Sequence, residues 1–234
     1  MMWSRLRRLA LLDIDGTLLW ADGWGRASIE ATLMRVYGTA GSIASYYLPG
    51  RTDKEIVYDV LKAHGLGVEQ IETHFDRIGE VMVEEMRTRR AEHTVRPCPG
   101  GHALVTALAA RDDVLLGLLT GNSEQTAILK LQAAGYDPGI FRIGAFGEES
   151  VRRADLPPLA VQRAYALTGH RFEGNSVVII GDAPADITCG RGIGARSIVV
   201  LTGQIPRETL AAENPDYIFE DLTDLDAVLA AILD

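Results

Sequence analysis

The stretch Leu9-Ala-Leu-Leu-Asp-Ile-Asp-Gly-Thr-Leu18 decides how the chain is read. It opens on a short apolar run, as expected of a strand buried on both faces of a parallel sheet. Two carboxylates, Asp13 and Asp15, close the run and are followed by Gly16 and Thr17. Open α/β sheets bind ligands at that C-terminal edge. Carboxylates are seldom buried unless paired or bound to a cation, so two acids one residue apart point to chemistry rather than packing.

Downstream, Arg96-Pro-Cys-Pro-Gly-Gly101 marks a boundary, because prolines and glycines punctuate structure. Beyond it helical and apolar segments alternate. Helix 102–111 precedes a strand at 114–119, helix 123–134 one at 142–146, and helix 157–168 one at 177–180. A short helix near 185–191 precedes a strand at 197–201, and a last segment, 217–219, leads to a closing helix at 222–233. Such alternation predicts an α/β fold, a Rossmann-like parallel sheet with helices on both faces.

Residues 20–95 read differently. Ile29, Leu33, Val36 and Tyr37 mark one face of a helix at 26–37, and 38–50 is a Gly- and Ser-rich connection. Thr52 and Glu55 are spaced for a capping box opening a helix to about His64, which Gly65-Leu-Gly67 ends. Ile71, Phe75, Ile78, Met82 and Met86 predict one longer helix, its stripe facing a core. With no strand there, 20–95 is expected to be an all-helical cap inserted into a core made of 1–19 and 96–234. Trp20 and Trp24 fit hinge packing between the two better than a substrate entrance. His64 and His74 are expected on the cap surface.

Composition narrows the function. The chain has 234 residues and a formal net charge of −9, which argues against a nucleic-acid backbone binder. Cys98 and Cys189 lack zinc or disulfide spacing, which fits a reducing, cytoplasmic setting. Arg5, Arg7 and Arg8 resemble the start of a signal peptide, but Asp13 interrupts too short an apolar run. No stretch is long enough to span a membrane.

Three more strand ends carry polar groups. Leu118-Leu-Thr-Gly-Asn122 offers the Thr120 hydroxyl, a Gly121 that allows close backbone approach, and an Asn122 that, with Gln125, could cap the next helix at an anion-binding N-terminus. Val177-Val-Ile-Ile-Gly-Asp-Ala-Pro-Ala-Asp-Ile187 places Asp182 at a strand end and Asp186 four residues on. Asp13, Asp15 and Asp182 would repel one another without a cation, and an all-oxygen set favours Mg²⁺. Arg152 and Arg153 precede a helix and could meet a carboxylate or a phosphate. Gly190-Arg-Gly-Ile-Gly194 follows a helix and precedes a strand, the wrong order for a dinucleotide fingerprint.

This set resembles the haloacid dehalogenase superfamily, and within it the helical-cap phosphatases. The resemblance covers essentially the whole chain. Its first motif is Asp13 to Thr17, its second Thr120, its third a basic residue before a helix, and its fourth Gly181 to Asp186. It implies a sheet of order 3-2-1-4-5 and a Mg²⁺-dependent phosphatase acting on a small phosphorylated metabolite. Asp13 would attack phosphorus to form an aspartyl-phosphate, and Asp15 would move the proton. Mg²⁺ would be held by Asp13, the Asp15 backbone carbonyl and Asp182. Asp186 would ligate through water or orient the basic residue. Thr120, Gly121 and Asn122 would hold phosphoryl oxygens. The third motif, usually Lys, must here be Arg, with Arg153 ahead of Arg152. Arg51, in Pro49-Gly-Arg-Thr-Asp53, is the cap's candidate for reading substrate, against an ion pair with Asp53 or Glu55. An acid at Asp15 favours phosphate esters over halides or phosphonates. The alternatives are a phosphomutase of the β-phosphoglucomutase type and a non-catalytic binding domain.

Overall fold

The computed structural model describes residues 5–234. The chain runs from β1 (Arg8–Leu12) through β2 (Leu19–Trp20) into α1 (Trp24–Tyr37), α2 (Asp53–Ala63), α3 (Val68–Glu72) and α4 (Asp76–Arg89), and returns through β3 (Arg96–Pro97). It then alternates: α5 (Gly101–Ala109), β4 (Val114–Thr120), α6 (Glu124–Ala133), β5 (Ile143–Phe146), α7 (Leu156–Thr168), β6 (Val177–Gly181), α8 (Pro184–Cys189), β7 (Arg196–Val200), α9 (Arg207–Ala212), β8 (Tyr217–Phe219) and α10 (Leu225–Leu233).

The main sheet has the order β5-β4-β1-β6-β7-β8 among the described residues, with every pairing parallel. The expected 3-2-1-4-5 arrangement is present, and β8 extends it beyond β7. β1 lies between β4 and β6, with Leu9 opposite both Leu115 and Val177. Its side chains alternate between the faces, as the pleat requires. Ala10 and Leu12 join Leu116, Leu118, Val178 and Ile180 in a core that α5, α6 and α10 cover. Leu9 and Leu11 join Leu115, Leu119, Val177 and Ile179 against Leu156, Ala160 and Ala164 of α7. Burial on both sides explains why β1 reads as continuously apolar.

The first of these cores continues without a break into the helical segment, through Leu33, Ile56, Met82 and Met86. Where that segment begins and ends, β2 and β3 pair antiparallel, with Trp20 opposite Arg96. These two-residue strands were not expected. Trp24 is buried and donates its indole N–H to the Met86 carbonyl at 2.9 Å, while Trp20 donates to the Thr202 carbonyl at 2.7 Å. Trp24 thus packs within the helical segment, and Trp20 is tied to the loop after β7.

The single long helix expected around 71–86 is two. The Thr73 hydroxyl bonds back to the Glu69 carbonyl, and the next amides bond three residues back rather than four. Such local side-chain bonding competes with a continuing helix. The capping box at Thr52 forms by half. Thr52 accepts from the Glu55 amide at 3.0 Å, but the Glu55 carboxylate turns to Arg51. His64 and His74 are exposed, as expected. No helix among the described residues is long and apolar enough to cross a membrane.

Candidate active site

Four adjacent strands, β5, β4, β1 and β6, deliver their C-terminal loops to one place. The Asp13 amide donates to the Ile180 carbonyl at 2.9 Å, which holds the residue just past β1 in register with β6. Asp182 follows β6 directly, and Asp186 lies in the first turn of α8. One carboxylate oxygen from each of Asp13, Asp182 and Asp186 lies within 4.8 Å of the others, and all three residues are buried. The approach is close enough to require glycine. Gly16 has φ +81°, and a Cβ there would overlap the Asp182 carboxylate.

Crowding shows in the proton affinities. Burial pushes Asp13 up to about 7, and Asp186 and Asp15 add to the rise, while Arg153 opposes it. Burial raises Asp182 well above the usual carboxylate range, with Asp186 and Asp13 adding to it. Three buried acids with one cation among them form a hard, anionic oxygen set. Its donor chemistry fits a divalent cation such as Mg²⁺.

Arg153 is the protein cation set among the three acids. It opens the short 3₁₀ turn Arg153–Asp155 after β5 and is buried. Its Nη2 donates to Asp13 Oδ1 at 3.1 Å, to the Leu119 carbonyl at 3.3 Å and to Asp186. Its Nε is buried with no hydrogen-bond partner, in a place where unsatisfied donors are rare. Arg152 instead pairs with Asp155 at 2.8 Å on the surface. Of the two arginines, geometry brings only Arg153 to the acids. Arg153→Ala leaves the buried acids uncompensated and is expected to cost about 3–5 kcal/mol of stability at neutral pH without metal. Arg152→Ala should stay within ~0.5 kcal/mol, and paired thermal melts separate the two.

The loop after β4 is built around Asn122. Its Nδ2 donates to Asp15 Oδ2 and to Thr120 Oγ1, both at 2.8 Å. The helix cap expected of Asn122 falls to Ser123, which accepts from the Thr126 amide. That shift frees Asn122 to reach Asp15. Gly121 is needed where it is, because a Cβ would overlap the Arg51 carbonyl oxygen. Its own carbonyl accepts from the Asp53 amide at 2.7 Å, and the Asp53 carboxylate accepts from the Ser123 amide at 2.9 Å. The N-terminus of α2 is thereby docked on the loop that carries Thr120.

Asp15 does not join the other acids. Its Oδ2 takes bonds from Asn122 and from the Lys130 ammonium, the latter at 2.6 Å. Lys130 is the neighbour of Asp15 that sequence reasoning missed. It sits in the last turn of α6, far from Asp15 in sequence, and looks there like an ordinary helical lysine. Arg51 pairs with Glu55 and is half-exposed, yet it also lines the cavity over the acids. That cavity measures about 290 Å³ and is walled by Asp13, Asp15, Trp20, Arg26, Arg51, Thr120, Asn122, Lys130, Arg153 and Asp182.

Over residues 157–225, which include Asp182 and Asp186, the chain matches the HAD-hydrolase-like family. Over that stretch the chain is similar to the haloacid dehalogenase-like hydrolases. A pyrophosphatase PpaX of Bacillus pumilus is 24% identical over 226 residues, covering 94% of this chain and 95% of that protein. A phosphoglycolate phosphatase of Synechococcus elongatus is 30% identical over 129 residues, 54% of this chain and 56% of its own length. In fold the chain is similar to a Pseudomonas syringae hydrolase, with TM-score 0.68 and 19% identity, covering 97% of this chain and 100% of the other.

Proposed function

We propose that this chain is a Mg²⁺-dependent phosphatase that hydrolyses a small phosphate monoester through an aspartyl-phosphate on Asp13. The observation that carries the reading is the division of labour among the acids. Asp13, Asp182 and Asp186 crowd together around Arg153, while Asp15 stands apart on Lys130 and Asn122. Residues 20–95 serve as the cap over this site, and 1–19 with 96–234 as the catalytic core.

Mg²⁺, held by Asp13, Asp182, the Asp15 backbone carbonyl and Asp186 directly or through water, would neutralise charge on the phosphoryl group and its attacking carboxylate. The residues do the rest. Arg153, which lines the cavity, and Thr120 with the Gly121 and Asn122 amides bind the phosphoryl oxygens. An Asp13 oxygen bonds to phosphorus as the bond to the leaving oxygen breaks. Asp15 gives its proton to that oxygen. Asp15 then takes a proton from water, which attacks phosphorus and restores Asp13. Arg51 and Arg26 face the part of the substrate away from phosphorus.

The names carried by the relatives make pyrophosphate and 2-phosphoglycolate the first substrates to assay. Mg²⁺-dependent release of phosphate bearing solvent ¹⁸O is expected. Borohydride reduction of enzyme quenched during turnover should convert residue 13 to homoserine. Turnover with no homoserine at that position would rule out the covalent step. Return of the phosphoryl group to a sugar phosphate would instead favour a phosphomutase.

A further inference from the structure

Lys130 is buried, with only 5% of its surface exposed, and an ammonium is costly to bury unless paired. The fold has placed it deliberately. Its Nζ donates to Asp15 Oδ2 and to Asn122 Oδ1, both at 2.6 Å. The helical segment helps to enclose it, because α1 passes so near that a Cβ on Gly25 would sit 3.3 Å from Nζ. Asp15, by contrast, is 44% exposed at its side chain and faces the cavity. Both of its side-chain hydrogen bonds, from Lys130 and Asn122, end on the same oxygen, Oδ2.

We infer that Lys130 is a positioning residue for proton transfer: with Asn122 it anchors Asp15 by Oδ2, so that Oδ1 is the oxygen that carries the proton to the leaving group. The inference rests on the reading of Asp15 as general acid. In the step concerned, the bond between phosphorus and the leaving oxygen breaks, the Oδ1–H bond breaks, and the proton passes to the leaving oxygen. Asp15 becomes a carboxylate, and its new charge develops next to an ammonium already in place. Preorganised charge of this kind acts where charge develops and needs no reorganisation during the reaction. The benefit is largest where proton transfer matters most, with leaving groups that are poor without a proton.

The test is a leaving-group series on the Mg²⁺-loaded full-length enzyme. kcat/KM reports the step in which the leaving group departs. For Lys130→Met it should fall ~10²-fold on phenyl phosphate, the lower end of what general acid catalysis supplies, and less than about threefold on p-nitrophenyl phosphate. Lys130→Arg keeps the charge and should recover part of the loss on phenyl phosphate. Asp15→Asn is run in parallel and should show the same steepening. If Asp15→Asn shows none, the general-acid reading itself fails. If Asp15→Asn steepens and Lys130→Met loses equally on both esters, or loses nothing, Lys130 does not position the acid and the inference is overturned. Should Lys130→Met not fold, Lys130→Gln carries the same comparison, since it removes the charge and keeps a polar side chain.

Discussion

Asp13→Asn is expected to lower kcat/KM by at least ~10⁴-fold, the scale on which removing a nucleophile from a preorganised site acts. A second consequence makes the experiment diagnostic. Asp13 is raised to about 7, so near pH 8 its charge is held in an environment that disfavours it. Asparagine keeps the shape and removes that charge from beside Asp182 and Asp186. Without metal, the variant should therefore melt above the wild type near pH 8. With saturating Mg²⁺ the order should reverse or close, because the variant has lost a ligand. A catalytically dead variant with unchanged metal response would separate Asp13 from the metal site. A variant that retains turnover would remove it from the chemistry altogether.

Removal of divalent cations is the second large effect. Chelation should abolish turnover, since phosphoryl transfer relies on positioning and charge neutralisation. It should also change how stability depends on pH. The folded protein holds a proton on Asp13 up to about 7, whereas the ordinary value is 3.8, so the folded state binds that proton more tightly than the unfolded state. Stability of the metal-free protein therefore falls as pH rises through that interval. Asp182 is displaced in the same direction and reinforces the trend. Mg²⁺ needs the ionised carboxylates, so its stabilising effect grows over the same range. At a hundred times its dissociation constant a ligand adds ~2.7 kcal/mol, which for a chain of this length raises Tm by roughly 5–10 °C. That rise is expected near pH 8 and should shrink towards pH 5. A metal-free melting temperature that climbs between those two pH values would contradict the picture of crowded acids.

Much of this site could be read before its geometry was known, for a specific reason. The acids follow apolar runs that can only be buried strands, and strand ends of a parallel sheet converge on one edge. Asp13, Thr120 and Asp182 therefore had to meet. The choice between Arg152 and Arg153 was harder. Both precede the same helix, and only the turn after β5 decides which side chain faces inward. Lys130 was out of reach. Its meeting with Asp15 depends on how α6 packs beside the loop after β1, and no local pattern encodes that. The split of the expected helix near Thr73 has the same character, because the hydrophobic stripe runs on across the break. The β2–β3 ribbon is too short to leave a periodic signal.

The central position of β1 has a consequence for biosynthesis. Both of its neighbours lie later in the chain, and β6 begins only at Val177. Parallel pairing between such distant segments is slow, and chains emerge from the ribosome N-terminus first. The apolar run that begins at Leu9 must therefore wait for β4 on one edge and, much longer, for β6 on the other. Low temperature or chaperone supply should improve soluble yield, with β1 as the segment protected. Asp13 is synthesised long before β6, yet it is seated only when the Ile180 carbonyl arrives to hold it.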